Sequence, residues 1–137
     1  MSPPKRKLDD TWLSRWLPVA VWAALIFAVS SRSSLPSIGG GRGFPVSQAG
    51  HLSEYAILAL LLFRALGSRK ATAASLGKMA LLCLGLSIVY GLSDEFHQSL
   101  VPNRDSSLVD VATDSVGAAV ALLVAVAWHR WRVRARG

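Results

Sequence analysis

The sequence predicts an all-α fold: one integral membrane bundle of four transmembrane helices, with both the N- and the C-terminus cytoplasmic. Three observations predict it: four apolar blocks of bilayer length, basic residues collected on alternate connections, and acidic residues gathered at the opposite ends of the same blocks. With 52% hydrophobic residues among 137 and a mean hydropathy of +0.39, the chain carries more apolar surface than a soluble domain of this size buries. A net charge of +7 raises the possibility of nucleic acid as a partner. That partner needs a clustered basic surface, whereas these basic residues alternate with long apolar runs, so no nucleic-acid role is expected. A single Cys83 inside an apolar block excludes a disulfide framework and a metal-type cysteine pair.

The blocks run about 12–30, 46–66, 76–96 and 108–128. Each approaches the ~20 residues that cross a hydrocarbon core as a helix. Between them lie Ser33 to Pro45, Gly67 to Ala74 and the segment around Pro102 to Asp105, all carrying breaker or turn residues. The whole chain, 1–137, therefore reads as one transmembrane domain with a basic tail over 129–137. A basic start before an apolar run is also the pattern of a signal peptide, but Ala28-Val29-Ser30 is a weak cleavage site. A retained first helix also supplies the even number of spans that the charge pattern requires.

Orientation follows from lysine and arginine. Twelve of the fifteen lie before or within the start of the first block, around the second connection, or in the tail; only Arg32, Arg42 and Arg104 fall on the first and third connections. Trp12, Trp16, Trp128 and Trp131 stand beside the basic clusters, as an interfacial aromatic belt does. The tail suits anionic membrane lipid as a partner.

The acidic residues are segregated more strongly than topology requires. Only Asp9 and Asp10 are on the cytoplasmic side; Glu54, Asp94, Glu95, Asp105, Asp110 and Asp114 belong to the other side, with His51 and His97. Six acids against three arginines leave the outer half at −3, and twelve basic residues against two acids leave the inner half at +10. Between Lys78 and Asp94 lie 15 uncharged residues, a rise of about 22 Å against a core of about 30 Å. Asp94 and Glu95 are thus expected at or below the membrane surface, where an ionisable group must pair, bind an ion or line a wet cavity.

Helical spacing says which groups share a face. His51, Glu54 and Tyr55 stand at i, i+3, i+4; Asp94, His97 and Gln98 repeat that spacing; Asp110 and Asp114 are one turn apart. The same faces continue as Ser87 and Gly91 on the third helix and as Gly117 or Ala118, Ala121 and Ala125 on the fourth, small residues that admit a close neighbour. A polar pocket opening outward between the second, third and fourth helices is expected.

These residues also carry a resemblance. His51-Leu52-Ser53-Glu54-Tyr55, Asp94-Glu95-Phe96-His97-Gln98, Val101-Pro102-Asn103-Arg104, and Asp110 with Asp114 ahead of Gly117 resemble, in order and spacing, the VanZ-like family of small bacterial membrane proteins. The family is named for a member linked to low-level resistance to the glycopeptide teicoplanin. Members often have Lys at the position of Gln48, Gly at that of Asn103 and Asn at that of Asp114. The resemblance implies a multi-pass protein of the bacterial inner membrane with a cell-envelope role, and it names no reaction.

Three readings of the polar residues stay open. In the first, His51, Glu54, Asp94 and His97 do acid–base chemistry, or Asp94, His97, Asp110 and Asp114 hold a divalent metal ion. Arg104 would then hold the phosphate of a phosphate-bearing lipid or cell-wall precursor, and Glu95, Gln98 and Tyr55 would line the substrate. In the second, the same pocket binds such a molecule or a glycopeptide without chemistry. In the third, the residues form a buried network that ties helices together, Arg104 to Asp110 or Glu95 and His51 to Glu54 or Asp94. Tyr55 reads first as an interfacial packing residue, Gln98 as the partner that orients His97, and Asp105 as a solvated loop charge. Ser30, Ser31, Ser33 and Ser34 have no nearby base in sequence, so no nucleophile is expected there. Oligomeric state leaves no trace in the sequence.

Overall fold

The computed structural model describes residues 12–32, 44–67, 72–102 and 106–135. They form four helices: α1 Trp12–Ser30, α2 Phe44–Leu66, α3 Ala73–Gln98 and α4 Leu108–Arg134. All four contain stretches long and apolar enough to cross a membrane. Outward-facing side chains agree: Leu81, Phe96 and Leu123 are each 70–71% exposed, an arrangement that suits lipid and not water.

The helix ends follow local chemistry. Thr72 caps α3 with extended backbone, its hydroxyl accepting the Ser75 N–H at 3.2 Å, so the helix begins at Ala73 and not near residue 76. Ser107 caps α4 in the same way, accepting the Val109 N–H at 3.1 Å, with Asp110 in the positive first turn. At its other end α4 continues past residue 128 to Arg134, so most of the expected basic tail is helical. The Trp128 and Trp131 rings lie 5.0 Å apart, Arg132 sits 6.0 Å over Trp128, and Arg132 and Arg134 face the negative last turn.

Pro18 lies inside α1 without ending it. It has no N–H for the Ser14 carbonyl one turn back, and Arg64 Nη2 of α2 donates to that carbonyl at 3.1 Å. Two further bonds fasten α1 lower down. The Trp22 indole N–H donates to the Glu54 carbonyl at 2.9 Å, and the Tyr90 hydroxyl to the Ala23 carbonyl at 2.6 Å.

Packing is centred on α2 and α4, which make the most extensive contact; α3 joins α4, and α1 lies mainly on α2. Ile26, Tyr55, Leu58, Ala59, Leu62, Cys83, Ala118 and Leu122 form the core. Gly117 permits the central contact. A Cβ there would overlap the Leu52 carbonyl oxygen and stand 3.0 Å from its carbon and Cα. The small-residue row expected on α4 thus works chiefly at Gly117 and Ala118, both buried.

Candidate functional site

The buried polar residues concentrate at one end of the bundle, where the C-terminal ends of α1 and α3 meet the N-terminal halves of α2 and α4. Three contacts between helices organise it. Between α1 and α3, Ser30 Oγ donates to Asp94 Oδ2 at 2.8 Å, and Gln98 Nε2 donates to the same oxygen at 3.0 Å. Between α2 and α4, His51 Nδ1 lies 3.1 Å from Asp114 Oδ1, and Gln48 Nε2 donates to Asp110 Oδ1 at 2.6 Å while its carbonyl accepts from Thr113. Between α3 and α4, Glu95 Oε2 accepts the Ser107 N–H at 2.8 Å.

Several expectations are refined by this geometry. The site is not confined to α2, α3 and α4, because Ser30 and Ser31 of α1 reach Asp94 and His97. Gln98 holds Asp94 and not His97; the His97 ring instead stacks on Phe27 at 4.3 Å, and its Nε2 lies 3.0 Å from Ser31 Oγ. Ser31 therefore does have a base beside it, yet its single hydroxyl proton already goes to the Phe27 carbonyl at 2.7 Å, so the imidazole is best placed as the donor. Tyr55 is not interfacial: it is wholly buried in the core, one turn below His51. Glu54 is partly buried on α2, and His51 faces Asp114 in place of Glu54 or Asp94. Ser33, Ser34, Arg104 and Asp105 lie outside the described residues.

Both Asp94 and Glu95 are buried although they point about 100° apart, because α3 presents Asp94 to α1 and Glu95 to α4. Among the described residues, His51, Glu95 and Asp114 each offer one ligand atom within 4.8 Å of the others. Of the four expected metal ligands, only Asp114 belongs to this group; Asp94, His97 and Asp110 engage Ser30, Ser31 and Gln48.

Four buried oxygens have no hydrogen-bond partner among the described residues: Tyr55 OH, Asp94 Oδ1, Glu95 Oε1 and Asp114 Oδ2. Buried polar atoms are ordinarily paired, and an unpaired one costs about 1–3 kcal/mol, more when it is charged. All four lie on residues of the same polar end. Glu95 also borders a groove of about 280 Å³ between α3 and α4. Leu92, Phe96, Leu108 and Val111 form its apolar wall and Ser99, Ser106 and Ser107 its polar rim. A larger groove of about 400 Å³ between Gly77–Leu84 and Ala119–Arg130 is almost wholly apolar and lies in the other half of the bundle.

Gln48, Thr113, Ser30 and Ser31 are the participants that spacing missed. Gln48 had a usable signal, standing one turn before His51 on the same face. The serines had none beyond their place at the end of an otherwise apolar helix.

No curated protein and no solved structure matches the chain. A family model does, that of VanZ/LLP1, over residues 9–129, a stretch that contains α1, α2, α3 and every residue of the polar end described above. With four membrane-length helices and that match, the chain belongs to the VanZ-like family of membrane proteins.

Proposed function

We propose that this chain is a bacterial cell-envelope protein of the inner membrane whose polar end, on the non-cytoplasmic side, binds or modifies a lipid-linked or cell-wall-derived molecule. The carrying observation is the set of unpartnered buried oxygens at the polar end, one of them on Glu95, which borders a groove with an apolar wall and a serine rim. A molecule with a hydrocarbon chain and a polar head matches that groove: the chain lies along Leu92, Phe96 and Leu108, and the head meets Ser106 and Glu95. His51, held by Asp114 at 3.1 Å, presents an oriented imidazole to the pocket, since a carboxylate fixes the tautomer and the direction of the ring. The lysine and arginine distribution supports this sidedness, with both termini in the cytoplasm.

A second reading has its own observation. Ser30–Asp94, His51–Asp114 and Gln48–Asp110 each join two helices, as a purely structural network does. Such bonds average only about 0.6 kcal/mol between membrane helices, less than one unpaired buried carboxylate costs.

The test is labelling of a Ser106→Cys variant in a Cys83→Ala background with a membrane-impermeant maleimide. Ser106 is exposed on the rim of the groove. Labelling from outside intact cells, slowed several-fold by a short polyprenyl phosphate or by a glycopeptide in a separate arm, is the expected result. Labelling only after permeabilisation overturns the sidedness, and labelling that neither probe slows overturns the substrate class.

A further inference from the structure

The group formed by His51, Glu95 and Asp114 has a composition that selects a kind of ligand. One imidazole and two carboxylates, each with an atom within 4.8 Å of the others, form a mixed nitrogen and oxygen donor set drawn from three different helices. Three acidic or imidazole groups close together are common in proteins and prove nothing alone. A second observation stands beside them: Tyr55, Asp94, Glu95 and Asp114 are all more than nine-tenths buried, and each keeps one oxygen without a hydrogen-bond partner among the described residues.

Gly91 lies against the same groups. A Cβ at this position would stand 3.4 Å from both Asp114 Oδ2 and Tyr55 Cε1, and 3.7 Å from Tyr55 Cζ, so the unpartnered aspartate oxygen and the tyrosine ring flank the same point. On the other side, Asp114 Oδ1 and Glu95 Oε2 are already engaged, by His51 and by the Ser107 N–H. Each carboxylate therefore has one oxygen committed to the fold and one free. That division suits a ligand that must be held rigidly.

We propose that His51, Glu95 and Asp114 bind one divalent cation of the borderline class, Zn²⁺ or Mn²⁺, with Tyr55 and Asp94 beside it; this deepens the functional reading above and rests on the same pocket. The donor set decides the class. Imidazole favours Zn²⁺ and its neighbours, and carboxylates extend the range to Mn²⁺. Ca²⁺ wants six to eight oxygens, and Mg²⁺ gives up its waters reluctantly for a nitrogen-containing site. Three protein ligands leave a coordination position open, as metal sites that meet a substrate do. A dication also balances Glu95 and Asp114 electrostatically in a region where uncompensated charge is expensive. It further reconciles a carboxylate-rich pocket with an anionic head group, because the metal bridges two groups that would otherwise repel.

The experiment is a titration of chelator-treated, detergent-purified protein with Zn²⁺, Mn²⁺ or Mg²⁺, read by bound metal per chain and by melting temperature. Wild type is expected to bind about one Zn²⁺ or Mn²⁺ per chain and to melt at higher temperature in its presence. Glu95→Gln, which keeps the shape and the Ser107 contact, is expected to weaken binding by about 100-fold or more, since even outer-shell changes cost 10–100-fold. Should that variant not fold, His51→Asn gives the same readout. Absence of stoichiometric metal on wild type, an unchanged affinity in the variants, or tighter binding of Mg²⁺ than of either transition ion overturns the assignment. If metal fails while polyprenyl phosphate still protects the Ser106→Cys variant, the metal assignment falls alone. If metal binds and no probe protects, the substrate reading falls.

Discussion

Gly117→Ala is expected to lower the melting temperature of the purified protein by about 10 °C, corresponding to roughly 3 kcal/mol, the upper end of what overpacking costs. The added methyl meets the Leu52 carbonyl oxygen, carbon and Cα, all backbone atoms of a neighbouring helix, so no side chain can rotate out of its way. The helices α2 and α4 must separate instead, and with them His51 from Asp114 and Gln48 from Asp110. Gly85→Ala is the control. Nothing lies within 4 Å of a Cβ at Gly85, so the better helix former should be neutral or stabilising by up to about 1 kcal/mol. Melting curves of the two variants that coincide would remove Gly117 from its place as the close contact of the bundle.

Tyr55 offers a comparable effect with a sharper division between packing and chemistry. It is the largest of the fully buried side chains among the described residues, and Tyr55→Ala is expected to cost about 3–5 kcal/mol through the cavity it leaves. Tyr55→Phe removes only the hydroxyl, which has no partner among the described residues. Deleting an unsatisfied buried polar group relieves its desolvation, so this variant is expected to gain about 1 kcal/mol or more. Chemical or thermal unfolding of both variants checks the pair of signs. A Tyr55→Phe protein less stable than wild type would mean that the hydroxyl has a structural partner.

How much of this was legible beforehand depends on whether the property lives within one helix or between two. The four helices and the common end of His51, Asp94, His97, Asp110 and Asp114 follow from composition and from the 3.6-residue period, which are properties of single segments. The partners do not follow. His51 shares a face with Glu54 by spacing, but α2 approaches α4 so closely at Gly117 that Asp114 becomes its neighbour. Asp94 and Glu95 cannot both be assigned inward by periodicity alone. They are both buried because α3 is flanked by α1 on one side and α4 on the other. Tyr55 looked interfacial beside polar residues, whereas its position a turn deeper places it in the core. The helix ends at Ala73 and Arg134 were set by the Thr72 cap and by tryptophan and arginine contacts, both finer than an apolar block reveals.

The central claim is that the buried acids of the polar end hold more negative charge than the helix contacts need, as a site does and as a purely structural network does not. The most direct test is the melting temperature of Asp114→Asn, measured with a chelator present so that no metal contributes. Asparagine keeps the shape of Asp114 and an oxygen for the His51 contact at 3.1 Å while removing one charge from the neighbourhood of Asp94 and Glu95. A functional site commonly stabilises when its crowded charge is relieved, and a rise of a few degrees, about 1 kcal/mol, is predicted. A fall of comparable or larger size would show that the carboxylate is needed to hold the helices together, and would contradict the account.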